Sequence, residues 1–321
     1  MRRTYLSAVF AAALAGGSAV VVAPASDATT LQPHRHVLLS GLEGALGSTI
    51  GPDGALYVVE GITGRVTRVD RRTGRRDTVT DALPKRVAPI GGAMDVAFLG
   101  HTAYVLVSLV SPDVGGTSVD GIYRVDGPHH VTVMADIGAF SLAHPPTTSF
   151  FIPTGVQFAM QPYGRGFLVT DGHHNRVLHV TLDGGITEVA TYGDVVPTGL
   201  AMRGGNVYVA QAGPVPHLPE NGRVLRLFGS GRTVASGAPL LVDVEAGRHG
   251  KLFALSQGTF TPGHPEGSPA DPGTGALEQV LPDGTMTPVA TGLDQPTSVE
   301  LVGDKAYVVT LSGTVVVLRG R

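Results

Sequence analysis

One unit recurs six times along the chain, and a repeat of this kind admits few folds. Each copy reads as an apolar strand, a tight turn, a second apolar strand, a loop, a third strand of the type Arg-Val-x-Arg-Val, and a fourth β-rich segment. The first copy runs LGSTI (46–50), GPDG (51–54), ALYVVE (55–60), GRVTRVD (64–70) and DTVTDAL (77–83). The innermost strands of the other five are MDVAF (94–98), TGVQF (154–158), TGLAM (198–202), VDVEA (242–246) and TSVEL (297–301). Their anchor residues Ser48, Val96, Val156, Leu200, Val244 and Val299 lie 48, 60, 44, 44 and 55 residues apart, which fits four short strands per unit plus insertions.

The sixth copy lacks its fourth strand, and the missing piece stands at the other end of the chain. HVLLSGL (36–42) matches PVATGL (288–293) in register and directly precedes the first copy. An N-terminal strand that completes the last sheet closes a ring and hides the edges that would otherwise aggregate. The sequence therefore predicts an all-β six-bladed β-propeller with four strands per blade, a single domain over 36–321 preceded by a short leader at 26–35. A β-sandwich would show neither six copies nor a complementary end strand. A monomer is expected.

Composition agrees. Gly accounts for 45 of 321 residues and Pro for 23, the signature of many tight turns, while 42% apolar residues suffice for a core. Charged residues make up 15%, against roughly 25% in an ordinary domain. A net charge of −3 argues against a nucleic-acid partner held by phosphate neutralisation. With no Cys, disulfides, thiolate metal sites and Cys nucleophiles are excluded.

Arg2 and Arg3 lead into an apolar run from Ala8 to Val22 that ends at Ala23-Pro24-Ala25. This is the pattern of a signal peptide over 1–25, too short and too rich in Ala and Gly for a membrane span. Arg2-Arg3-Thr4-Tyr5-Leu6 also resembles a twin-arginine signal, so either that route or the general secretory one is open. The mature protein is expected outside the cytoplasm, with no membrane span.

In such a blade, the turns between strands 1–2 and 3–4 lie on one face, and the 2–3 and blade-to-blade loops lie on the other. The first set is uniformly short. The second holds nearly all the excess length, in 109–120, 137–153, 212–221 and 257–275. Long loops on a rigid scaffold carry function more often than hairpin turns do, so this face is the expected working face for a small-molecule or protein ligand.

Asp95 and Asp243 occupy one site in copies two and five, at the start of the innermost strand, where other copies have Gly47, Gly155, Gly199 and Ser298. Opposite blades would bring both carboxylates to the channel mouth. There they would hold a hard cation such as Ca²⁺, serve as a general base, or cap backbone N–H groups where blades meet. Glu60, Ser108, Asp171, Gln211, Ser256 and Thr310 end the second strand of each copy. The stretch from Asp171 to Val177 is similar to the turn of NHL-type blades, where the acid bonds the turn that follows. His173 and His174 sit in that loop, and His217 and His264 in the long loops of copies four and five. All four are candidates for the working face, although adjacent histidines in an extended loop rarely bind one metal. Nucleophile-elbow, phosphate-loop, zinc-helix and dinucleotide motifs are absent.

From His36 to the C-terminus the order of segments resembles the ScyD/ScyE family of secreted propellers. The resemblance rests on GPDGALYVVE (51–60), GGAMDVAF (91–98), ADIGAFSLAHPP (135–146), IPTGVQF (152–158), VPTGLAMRGGNVYVAQAGPVPHLPENGRVLRL (196–227) and VLPDGTMTPVATGLDQPTSV (280–299). The family usually has a Glu where this chain has Ser141, and Asn-Pro where it has Ile152-Pro153, so a site built on those residues would be altered here. The resemblance implies the propeller fold and export, and no established activity. More distantly, the pattern is similar to gluconolactonase/SMP-30-like lactonases, strictosidine synthase-like proteins and quinone-dependent sugar dehydrogenases. The lactonases hold a channel metal with Glu, Asn and Asp; this chain has Asp95 and Asp243 but no Asn at matching positions.

Overall fold

The computed structural model describes residues 34–148, 152–214, 217–229, 231–261, 263 and 268–320. The expected signal segment and His264 lie outside the described residues.

Six four-stranded antiparallel sheets stand in a ring, each running from an inner strand outward in chain order. Their inner strands are Ala45–Ile50, Gly92–Leu99, Gln157–Tyr163, Val196–Arg203, Leu241–Ala246 and Pro296–Val302. Each inner strand packs on those of both neighbours, the sixth against the first included. The sixth blade is completed by His34–Leu39, which pairs antiparallel with the last strand, Val315–Arg319. This is the predicted closure. His34–Leu39 and Val315–Arg319 thus share one sheet, and the outer edge of the sixth blade's third strand is paired.

The core is not central. It consists of apolar wedges between neighbouring blades, such as Tyr57, Val59, Val96 and Val105 between blades one and two. Phe167, Leu178, Ile122 and Ile137 fill the next wedge. A blade is thus packed on both faces, and its second strand reads as a nearly continuous apolar run, closed by a polar residue, instead of alternating. Leu56–Glu60 is buried throughout, whereas the outer strand Arg76–Thr80 is mostly exposed.

Polar side chains stitch the seams. Ser298 Oγ lies 2.6 Å from Ser48 Oγ across the closing seam. Thr198 Oγ1 donates to Leu241 O at 2.7 Å between blades four and five.

The third copy departs from the register read in the sequence. Its inner strand begins at Gln157, and Met160, not Val156, faces the middle of the second strand at Val169. Residues 152–155 instead form a turn closed by Gly155 N–H donating to Ile152 O at 2.9 Å. Gly155 adopts φ +79°, and a Cβ there would strike the Asp171 carboxylate. The loop network described below holds this turn.

Removing the chain through Leu39 should unpair Val315–Arg319 and strip one side of the sixth blade. Expected outcomes are a lowered melting temperature and concentration-dependent association in sedimentation. An unchanged melt with a monodisperse species would contradict closure as a stabilising contact.

Candidate functional site

Asp95 and Asp243 are placed alike by the ring, and each bridges a seam. Asp95 Oδ1 accepts from its neighbour Val96 N–H at 2.8 Å, and Oδ2 from Met160 N–H of blade three at 2.8 Å. Asp243 accepts from Val244 N–H at 2.8 Å and from Val299 N–H of blade six at 2.9 Å. Behind each carboxylate the preceding blade presents a glycine: a Cβ on Gly47 would strike Asp95, and one on Gly199 would strike Asp243. The Gly-to-Asp alternation visible along the sequence is therefore a packing relation between blades.

Two more acids share the axis. Glu245 stands two residues beyond Asp243 on one strand face, and Glu300 occupies the equivalent position in blade six. Burial raises all four carboxyls, and like charge adds to the effect for three of them. Burial pushes Asp243 to about 7. Glu300 is raised by burial first and then by Glu245, Asp243 and Asp95. The signal for the two glutamates was present, as an acid following the anchor in VDVEA and TSVEL, but the sequence could not show that adjacent blades aim them at one axis.

Does this set suit Ca²⁺? Such an ion takes six to eight oxygen ligands. Here every oxygen of Asp95 and Asp243 already accepts a backbone N–H, and among the described residues no three His, Asp or Glu side chains are grouped to hold a metal. The donor set does not fit a calcium cage.

The long-loop face carries a different construction, centred on Arg176. This side chain is 1% exposed, the largest of the fully buried residues. Its Nε donates to Asp171 Oδ2 at 2.9 Å. Nη1 donates to His144 O at 2.7 Å and to Glu188 Oε2 at 3.4 Å. Nη2 donates to Ser141 Oγ at 3.0 Å and to His174 Nδ1 at 3.1 Å. All five donors of the guanidinium are thereby used. Ser141 and His144 come from the short helix Ile137–Ala143 and its C-terminus, so Arg176 fixes the blade-two-to-three crossover against blade three.

Asp171 is buried at the centre of this cluster. Its other oxygen accepts from Gln157 Nε2 at 3.1 Å, and Gln157 Oε1 accepts from Ser108 Oγ at 2.8 Å in blade two. The two histidines grip one residue from both sides. His173 Nε2 accepts from Ile152 N–H at 3.1 Å, and His174 Nε2 donates to Ile152 O at 3.1 Å. The Arg176 contact at Nδ1 sets His174 as the Nε2–H tautomer. Burial, reinforced by His174, lowers the His173 pKa and keeps that ring an acceptor.

Further out, Asp113 Oδ2 accepts from Thr154 N–H at 3.1 Å and Oγ1 at 2.9 Å, pinning the 152–155 turn to the 109–120 loop. Asp120 accepts from Val110 N–H at 2.8 Å and Ser111 Oγ at 2.6 Å. His217 lies apart in the blade-four loop, at φ +61°, with Nδ1 3.2 Å from Gly213 O. The fold thus gathers Asp171, His173 and His174 into one cluster, pairs Asp95 with Asp243 across the axis, and leaves His217 separate. Arg176 is the residue sequence reasoning passed over. It reads as one more strand-opening Arg, like Arg65 and Arg223.

No protein-family model matches the chain, and no curated protein is similar to it. Solved structures are similar in fold. A virginiamycin B lyase from Staphylococcus aureus aligns with TM-score 0.56 and 9% identity over 90% of this chain and 99% of its own. A gluconolactonase from Xanthomonas campestris aligns with TM-score 0.56 and 13% identity over 89% of each chain. The PQQ-bound aldose sugar dehydrogenase from Streptomyces coelicolor gives TM-score 0.56 and 13% identity over 89% of this chain and 98% of that one. These likenesses establish a six-bladed propeller. Among the described residues, no helix is long and apolar enough to cross a membrane.

Two outcomes are expected. Replacing Arg176 with Met leaves Asp171 as a buried, unpaired charge and should cost about 3–5 kcal/mol in denaturant unfolding, part of which Asp171→Asn restores in the double variant. The raised axial carboxyls mean that the folded state holds more protons than the unfolded one between about pH 4 and pH 7. Their contribution is therefore complete below about pH 4 and lost as pH rises through 7. The melting temperature should fall across that window and fall less in Glu300→Gln; a flat or rising profile in the wild-type chain would contradict this.

Proposed function

We propose that the chain is an exported propeller of the ScyD/ScyE type that binds a small molecule or protein on its long-loop face, without metal-dependent chemistry. The observation that carries this reading is the buried network from Ser108 through Gln157, Asp171 and Arg176 to Ser141 and His144. Ionic and polar groups buried this deeply add little net stability over apolar packing. What they supply is fixed loop geometry, and pre-organised loops lose less entropy when they bind. The pattern of Arg2-Arg3 and the apolar run after it supports export.

The second reading, a calcium-dependent hydrolase or lactonase with Asp95 and Asp243 at the metal, draws on the gluconolactonase among the similar folds. The engaged oxygens of those two carboxylates speak against it. With each of their oxygens already accepting a backbone N–H, Asp95 and Asp243 are also poorly disposed to take a substrate proton.

A thermal-shift screen of small molecules against the mature chain, run beside lactone and ester hydrolysis assays with and without Ca²⁺, separates the two. The binding reading expects ligand-dependent stabilisation without turnover. Ca²⁺-dependent turnover abolished by Asp243→Asn would establish the hydrolase instead. Cell fractionation with N-terminal sequencing of the exported form checks cleavage near Ala25.

A further inference from the structure

Blade four repeats the architecture around Arg176 but omits its counter-charges. Arg223 opens the third strand of blade four as Arg176 does in blade three, opposite the residue that ends the second strand. That partner is Asp171 in blade three and Gln211 in blade four. One step along, Leu178 pairs with Glu188 in the outer strand, while the equivalent Leu225 pairs with Thr233. Both carboxylates that neutralise Arg176 are thus replaced by uncharged residues at Arg223.

The bonding follows. Arg223 Nε donates to Gln211 Oε1 at 2.6 Å, and no ion pair to Arg223 occurs among the described residues. In blade three the Nη side is stoppered by His144, Ser141 and His174. In blade four no such acceptors are bonded to the Nη atoms among the described residues, and Arg223 lines a cavity of about 400 Å³ together with Asn221, Thr233, Ser236 and others. Glu220 also lines it, from an exposed position, without pairing to Arg223. Two buried polar atoms nearby have no partner. One is Gln211 Nε2, in a side chain that is 0% exposed; the other is the Tyr192 hydroxyl. Tyr192 lies close enough to feel the Arg223 charge, which opposes the upward push of burial on its pKa.

We propose that this notch on the long-loop face is a binding site for a small carboxylate, held by the Nη edge of Arg223. A planar carboxylate matches the guanidinium fork in two parallel hydrogen bonds. The inference rests on the reading of the loop face as a binding surface and assigns that surface a ligand class.

The test is titration of the mature chain with succinate by calorimetry at fixed ionic strength, with chloride and inorganic phosphate as controls. Saturable succinate binding is expected, with neither control matching it. Gln211→Glu supplies the missing internal carboxylate and should weaken succinate at least tenfold. That variant should melt no lower than wild type, since the introduced carboxylate pairs with Arg223. Arg223→Gln should lose binding as well. Succinate binding that survives Gln211→Glu, or phosphate bound as tightly as succinate, overturns the proposal. If no carboxylate binds while the thermal-shift screen finds another loop-face ligand, this site assignment fails and the broader reading stands.

Discussion

A guanidinium that is 1% exposed can persist in a folded chain only if every one of its N–H groups finds an acceptor and its charge finds a counter-charge. Arg176 meets both conditions, and the long-loop face is arranged around that requirement. Its acceptors come from the crossover helix, from the His173–His174 turn, from the outer strand of its own blade and from Asp171. None of these segments can move without stranding a donor. Asp171 in turn engages Gln157, which reaches Ser108 in blade two, so the network crosses a blade seam. The grip of the paired histidines on Ile152 and the 152–155 turn then follow from the same anchor.

The axis is built on the opposite balance. Asp95 and Asp243 bring negative charge between blades, and backbone N–H groups answer it where a guanidinium does in blade three. Such staples tie inner strands together, and the glycines behind them let neighbouring blades approach. With Glu245 and Glu300 they make an acidic channel lining whose carboxyl pKa values burial raises, and like charge raises further for Asp95, Glu245 and Glu300. Protonation of this lining therefore favours the folded ring, and its ionisation as pH rises opposes it. The two faces of the molecule therefore differ in kind, with short hairpins on one and a cross-braced set of long loops on the other.

Much of this was legible beforehand. Six copies and a matching end strand specified the ring, the blade count and its closure, because an unpaired sheet edge has few other remedies. Loop lengths alone identified the elaborated face. The register of the third blade was not legible, since TGVQF imitates the other inner strands, and it is contacts distant in sequence, from Asp113 to Thr154 and from His173 and His174 to Ile152, that turn it aside. Asp95 and Asp243 were visible as a pair, but their partners are backbone amides of the next blade, which carry no residue-type signal. Arg176 and Arg223 look alike in sequence. They differ only in what opposes them across two strands, Asp171 and Glu188 against Gln211 and Thr233, and that comparison needs the pairing of the sheets.

The loop face is rigid because a buried cation organises it. Amide hydrogen exchange on the protein tests this most directly, by comparing the Ile137–Ala143 helix and His144 with the second strands Gly166–Asp171 and Thr102–Ser108. A short surface helix of seven residues would exchange rapidly on its own. Organised by Arg176, these amides should exchange as slowly as those of the sheet, and Arg176→Met should release them while the second strands stay protected. Rapid exchange of the helix in the unaltered protein would contradict it.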